Sequence, residues 1–336
     1  MFHRDPATVP AMPEAGVHPV AALRPRWRRW LRRIGLTLAG LVVIVTAASL
    51  LYNWATDGRE KPATALYPGP FVRVDGTSVA YRTWGRSGSP IILLGGFAEP
   101  SWVWHAVGPL LGRDHRVVAI DLPPFGFTQR VGEPTLQSWT TLVQDVSSRL
   151  GLRRPVIVGH SLGAAVAVSV ALHDARSVSG IVLLDGDGLH SGGGGALVSA
   201  LLVDPWVTTL YRLVTGSDFI FRQALERALG PDRPPITSQM LRQFQLPFQV
   251  QGTEQQLREM LPHGIIGLAP GDLTHVRVPA TVVWGEDDSV DSPSAGRQSA
   301  AALHAPFEVI SGAGHLSMLV RPGAVAAAIA GAAQPG

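Results

Sequence analysis

Pro155-Val156-Ile157-Val158-Gly159-His160-Ser161-Leu162-Gly163 is the stretch on which the fold is read. Its first four residues form an apolar run of the length of a buried strand, and residues 162–173 after it carry no acidic, Lys or Arg residue and suit a helix. Between them lies G-x-S-x-G. A strand that feeds a helix through so short a turn lifts the serine above the sheet in an unusual backbone geometry. The glycines leave room where strand and helix crowd. The N–H groups and dipole at the start of the helix suit a developing negative charge. Alone, the pattern is weak in a chain with 37 glycines; a strand before it and a helix after it give it weight.

Short apolar runs and helical stretches alternate on either side. Residues 71–74 and 78–84 flank Asp75-Gly76-Thr77 and read as a hairpin. The runs at 91–94, 116–120, 180–184, 281–284 and 307–310 suit strands buried on both faces of a parallel sheet. Helices are predicted at 103–111, 135–150, 162–173, 293–303 and 322–330. The expectation is an α/β fold, a mostly parallel sheet flanked by helices. Residues 189–274 break the rhythm with amphipathic segments near 197–214, 219–229, 239–248 and 254–261, separated by prolines. They read as a helical cap inserted between two sheet strands. The glycine run after Ser191 is either a hinge or a loop.

The 336 residues, 46% hydrophobic and 16% charged, have ample material for a core and exclude general disorder. With no cysteine, disulfides, thiolate zinc sites, a cysteine nucleophile and a lipid-modified N-terminal cysteine are excluded. Seven arginines against two acids in residues 1–33 account for the positive charge, and the remaining chain is slightly acidic. A nucleic-acid binder would spread its basic surplus over a folded face, so that class is rejected. Lysine occurs once, at Lys61, which fits a codon bias toward arginine.

The N-terminus reads as a membrane anchor. Residues 34–52 carry no charge, and at 1.5 Å each they span roughly 28 Å, close to a bilayer's hydrocarbon thickness. Trp27, Trp30, Tyr52 and Trp54 bracket the run, and arginines crowd only its N-terminal flank. The positive-inside bias leaves the N-terminus in the cytoplasm and the rest of a single-pass protein outside the cell membrane. Competing readings are a signal peptide cleaved near Ala47-Ala48-Ser49, a twin-arginine signal and a buried core helix. The expected organisation is a basic tail at 1–33, a transmembrane helix at 34–52, a linker at 53–69, core at 70–188, cap at 189–274 and core again at 275–336.

A serine alcohol needs a base, and the base needs an orienting carboxylate. Gly285-Glu286-Asp287-Asp288 ends one predicted strand, and Ser311-Gly312-Ala313-Gly314-His315 leaves the end of the next. The carboxyl ends of parallel strands share one edge, so Ser161, Asp288 and His315 can converge there. Asp185 and Asp187, after the run at 180–184, are rivals for the acid.

From about residue 70 to 332 the chain resembles the α/β-hydrolase fold superfamily in its capped form. Gly95-Gly96-Phe97, Asp121-Leu122-Pro123-Pro124-Phe125-Gly126, Gly159–Gly163, and Trp284-Gly285-Glu286-Asp287-Asp288 with Gly312-Ala313-Gly314-His315 carry the resemblance. It implies Asp288 as the acid rather than Glu286 or Asp287, and His315 as the base. The order Ser…Asp…His is that of the superfamily. The resemblance also implies an oxyanion hole from the N–H groups of Phe97 and Leu162, although Gly95 stands where the family usually has histidine. Pro124 stands where the family often has glycine. A serine at residue 161 separates the chain from the epoxide hydrolases and haloalkane dehalogenases, which use aspartate there.

The expected activity is therefore a membrane-anchored serine hydrolase acting on carboxylic esters through an acyl-enzyme. Its small-molecule substrate would be lipid-like by virtue of location. Acyl transfer or carbon–carbon cleavage by the same triad remains open, as does a non-catalytic ligand-binding module. Trp102, Phe125 and Leu316 are expected to touch substrate, with the cap aromatics Trp206, Phe219, Phe221, Phe244 and Phe248 around an apolar pocket. His160 is expected to be a packing residue and Glu99 a solvated loop carboxylate. The remaining histidines lack metal-ligand spacing, and no metal or cofactor is expected.

Overall fold

The computed structural model describes residues 26–192, 202–264 and 266–333. Of the tail expected to be disordered at 1–33, residues 1–25 lie outside the described residues and 26–33 are helical, because the helix of the apolar run continues through them. The glycines at 193–195 and the start of the first cap segment also lie outside the described residues. Residues to Ala48 form one compact unit and Ser49 onward another. Helix α1 (Arg26–Ala55) runs past the uncharged stretch at both ends. Its Trp30–Ala55 portion reaches a mean hydropathy of 2.4 and is long and apolar enough to cross a membrane, as an anchor or a signal sequence.

The segment expected to be a linker packs against the core instead. It contains α2 (Ala63–Leu66), and Tyr67 beyond it is buried, stacked on Phe127 and donating its hydroxyl to the Tyr81 carbonyl at 2.6 Å. An aromatic with a hydroxyl can bury its ring while satisfying its polar end, which holds this stretch down.

The hairpin β1 (Phe71–Val74) and β2 (Thr77–Trp84) turns through Asp75 and Gly76, both at positive φ, a two-residue turn suited to the strand twist. The chain continues through β3 (Pro90–Leu94), a 3-10 turn at Ser101–Trp104, α3 (Val107–Leu111), β4 (Arg116–Ile120), α4 (Leu136–Arg149), β5 (Val156–His160), α5 (Leu162–His173) and β6 (Gly180–Leu184). The helix predicted at 103–111 is broken because Pro109 has no N–H to give the His105 carbonyl. Next come α6 (Trp206–Thr215), α7 (Asp218–Leu229), α8 (Ser238–Gln245) and α9 (Thr253–Met260), with short 3-10 turns. The chain ends with β7 (Ala280–Gly285), α10 (Pro293–Leu303), β8 (Phe307–Ile310), α11 (Ser317–Val320) and α12 (Pro322–Ala332).

The sheet order is β1-β2-β4-β3-β5-β6-β7-β8, with β2 antiparallel to β4 and every later pair parallel. Alternation along the strands builds two cores. Ile92, Leu94, Val118, Ile120 and Ile157 face one side with Val143 of α4 and Val166 of α5. Ile91, Leu93, Val117, Ala119 and Val156 face the other with Leu111 of α3 and Ile329 of α12. A strand buried on both faces must be apolar at every position, which is why these runs are continuous.

Two charged side chains fix the loops at the C-terminal rim. Asp121, fully buried after β4, accepts the N–H groups of Ser101 at 2.5 Å and Phe127 at 2.7 Å. Arg130 donates to the carbonyls of Pro124, Gly126 and Pro247 at 2.7, 2.8 and 3.1 Å and to the Thr253 hydroxyl, tying this loop to the segment before α9. Burial lowers its pKa to about 10, which still leaves it charged at neutral pH. Replacing it leaves several buried carbonyls without a donor. Arg130→Met is expected to lower unfolding free energy by about 3 kcal/mol, read from urea titrations of the full chain in detergent; a loss under 0.5 kcal/mol would refute the clamp.

Candidate active site

Ser161 sits between β5 and α5 at φ 49° and ψ −120°, a positive φ that costs a non-glycine residue energy and persists only where its surroundings enforce it. Those surroundings are visible. A Cβ on Gly159 would overlap the Gly163 carbonyl, so strand and helix close on each other only with glycine there. A Cβ on Gly96 would lie 2.8 Å from the Ser161 Cβ, which shows how closely the loop after β3 passes the serine. Among the described residues, the N–H groups of Phe97 in that loop and Leu162 at the first position of α5 have no backbone acceptor. Two donors therefore flank the serine.

His315 follows β8, and its Nδ1 lies 2.8 Å from Asp288 Oδ2, both residues being buried. Asp288 Oδ1 accepts the N–H groups of Val290 at 2.8 Å and Asp291 at 3.0 Å, so the carboxylate is held from both ends. Donation from Nδ1 leaves Nε2 as the basic nitrogen. Among the described residues no hydrogen bond joins this imidazole to the Ser161 hydroxyl. The neighbouring His160 ring comes within 4.8 Å of the His315 ring, centroid to centroid.

His160 and Glu99 correct the sequence reading. His160 is completely buried, with Nδ1 2.7 Å from Glu99 Oε2 and Nε2 2.7 Å from the His315 carbonyl. Both partners are acceptors, so both ring nitrogens donate and the ring is an imidazolium. Burial by itself would lower its pKa; the Glu99 carboxylate, helped by Asp185 and the His315 carbonyl, instead raises it to about 9. Glu99, far from being solvated, is 7% exposed and also accepts the Gly96 N–H at 2.7 Å. One ion pair thus joins the β3 loop, the serine turn and the loop that carries His315. Glu99 lies after β3 and His160 ends β5, neighbours in the sheet, an adjacency that no local sequence signal supplies.

Asp185, the rival acid, bonds elsewhere. Its carboxylate accepts the Gly285 N–H at 2.6 Å and the Ser317 hydroxyl, and burial pushes its pKa up to about 6. Asp187 caps its own turn by accepting the Leu189 N–H. Glu99, His160 and His315 have potential ligand atoms within 4.8 Å of one another. The imidazolium protons and the Asp288 bond occupy most of those atoms, which makes the cluster a proton-bearing network and a poor metal cradle.

The residues expected to touch substrate are placed differently. Phe125 and Leu316 are buried in the two cores, and Trp102 stacks on His105 and meets Phe244 edge-on. None of the three lines the large apolar cavity. That cavity, about 360 Å³, is walled by Phe97, Val207, Tyr211, Val214, Phe221 and Phe248 among others. Of the cap aromatics, Phe221 and Phe248 are in its wall, Phe244 is in the core, and Trp206 and Phe219 face outward. A smaller space of about 90 Å³ adjoins Ser161 itself.

A mostly parallel eight-stranded sheet with a serine on a strained strand-to-helix turn at its rim defines an enzyme of the hydrolase class. The pattern of the alpha/beta hydrolase family matches residues 91–328, and the chain belongs to that family. The hydrolase YugF of Bacillus subtilis, itself uncharacterized, is 26% identical over 250 residues, covering 74% of this chain and 90% of that protein. A bacterial membrane phospholipase A superposes with a TM-score of 0.63 at 21% identity, over 92% of this chain and all of the other. The meta-cleavage product hydrolase of Pseudomonas fluorescens gives 0.61 at 19% identity, over 79% and 97%. At those identities the structural likeness shows the fold alone.

The ion pair sets a pH dependence. His160 keeps its proton in the folded protein to about pH 9, against 6.5 for an ordinary histidine. Its contribution to stability is complete below about 6.5 and is lost as pH rises through 9. Glu99→Gln should therefore unfold about 3 kcal/mol more easily than wild type at pH 6, with the gap narrowing toward pH 10. An equal gap at both pH values in urea titrations contradicts the charged pair.

Proposed function

We propose that the chain is a serine hydrolase of carboxylic esters, tethered to a membrane by α1, with Ser161, His315 and Asp288 as its triad. The observation that carries this reading is the 2.8 Å bond from His315 Nδ1 to Asp288, at the same sheet rim as a serine held at positive φ. The Ser161 oxygen attacks the ester carbonyl while His315 Nε2 takes its proton. The N–H groups of Phe97 and Leu162 receive the oxyanion, and each such donor is worth about 3–4 kcal/mol in the transition state. His315 then protonates the departing alcohol, leaving an acyl-Ser161. Water, deprotonated by the same imidazole, attacks the acyl carbon, and collapse releases the acid and returns the proton to Ser161. Substrate binding must bring Oγ and Nε2 within hydrogen-bonding reach, as it commonly does for catalytic contacts.

The apolar cavity supports a lipid-like acyl group. Phe97 belongs to its wall and to the oxyanion loop, so a chain lying in the cavity would have its carbonyl end beside that loop. The uncharged run within α1 and its N-terminal arginines support an anchor with the catalytic body outside the cytoplasm.

With full-length protein in detergent and p-nitrophenyl esters as substrates, Ser161→Ala is expected to lower kcat at least ~10⁴-fold and Asp288→Asn about 10³–10⁴-fold, with little change in KM. A fluorophosphonate probe should label wild type and not Ser161→Ala. Wild-type turnover by Ser161→Ala would rule the mechanism out.

A further inference from the structure

Helix α6 contributes no buried residue, yet three of its sides are engaged. At about 100° per residue, Val207, Tyr211 and Val214 share one side and line the apolar cavity. Roughly opposite, Thr209 and Arg212 meet the last turns of α1: Thr209 donates to Asn53 Oδ1 at 2.9 Å, and Arg212 donates to the Asn53 carbonyl and the Thr56 hydroxyl at 2.6 and 2.8 Å. Asn53 in turn donates to the Pro205 carbonyl at 2.9 Å. Thr208 bonds Glu254 of α9 on a third side.

The fourth side, between the cavity and the α1 end, carries Leu210 and Leu213. Leu210 and Leu213 are 61% and 50% exposed, and Phe219 at the start of α7 is 72% exposed. Large apolar side chains grouped this way on a soluble surface mark an interaction site. Leu210, Ile220 and Leu261 both line the cavity and remain exposed, so the cavity opens on this same face.

We infer that this face of α6 and the start of α7 is a docking surface for the lipid bilayer, lying in its interfacial region so that the cavity mouth receives ester lipid from the membrane. The occupant follows from continuity. Ser49–Ala55 is the end of the apolar span, where Leu50, Leu51 and Trp54 stay exposed, and α6 is hydrogen-bonded to that end. If the chain leaves the hydrocarbon at Tyr52, where the uncharged run ends, the Asn53 and Thr56 contacts hold α6 beside that level. An amphipathic helix at that depth buries its apolar side in the interface. The inference rests on α1 being a retained membrane span.

The chain has no cysteine, so single labels can be placed cleanly. Leu213→Cys, Phe219→Cys and Arg176→Cys, the last before β6 at the opposite edge of the sheet, would each carry a bimane fluorophore in full-length protein. Each is reconstituted into phosphatidylcholine–phosphatidylglycerol vesicles with and without lipids bearing a shallow spin label on the acyl chain. Residues 213 and 219 are expected to be quenched at least twofold more than 176. Equal quenching at all three positions, in protein that floats with the vesicles, overturns the docking surface while leaving the anchor intact. Failure to float overturns both. Energy transfer between labelled copies at 213, without lipid quenching, assigns the face to a second copy and overturns the inference. In activity, Leu213→Glu with Phe219→Glu should slow cleavage of a vesicle-borne long-chain ester at least tenfold while leaving p-nitrophenyl butyrate hydrolysis within twofold. Wild-type rates on both substrates count against it.

Discussion

Around the pairing of Glu99 with His160, the rest of the site is arranged. A carboxylate and an imidazolium removed from water each lose solvation that only close partners restore. Here the partners are three: the carboxylate also holds Gly96, and the ring also holds the His315 carbonyl. The loops after β3, β5 and β8 come from distant parts of the chain, and one proton-sharing contact sets their mutual positions. The same contact neutralises a carboxylate beside the two free N–H groups, where an unpaired negative charge would oppose an oxyanion.

Around this centre, polar side chains do the work of spacing. Asp121 organises the loops that carry Ser101 and Phe127, Arg130 carries that order into the segment before α9, and Asp185 joins the end of β7 to α11. Asp185 lies 3.8 Å from His160 Nε2 and adds negative potential to the imidazolium. Its own oxygens are engaged by Gly285 and Ser317, so it braces the end of β7 against α11.

The cap adds a second level of organisation. Its helix α6 is at once a wall of the apolar cavity and the partner of the segment through which α1 enters the body. One short helix therefore touches both the apolar cavity and the last turns of α1.

Periodicity and order were legible in the sequence. Continuous apolar runs mark strands buried on both faces, since no polar residue can sit there unpaired, and β3 to β7 lie where those runs fall; β8, expected to be buried as well, is an edge strand with Glu308 and Val309 exposed. The turn at Ser161 declared itself because only glycines fit around it, and the segments after β7 and β8 could be expected at one rim, although only the resemblance chose Asp288 over Glu286 and Asp287. What the sequence could not disclose were the contacts between loops. Glu99 and His160 look like a surface acid and a filler until the sheet order sets β3 against β5. Phe125 and Leu316 look like pocket residues until packing takes them into the core, and Trp102 until it stacks on His105 against the core's edge. Local spacing is set by backbone geometry, which a sequence carries openly; which loop meets which, and what each side chain then faces, is decided only when the whole sheet has closed.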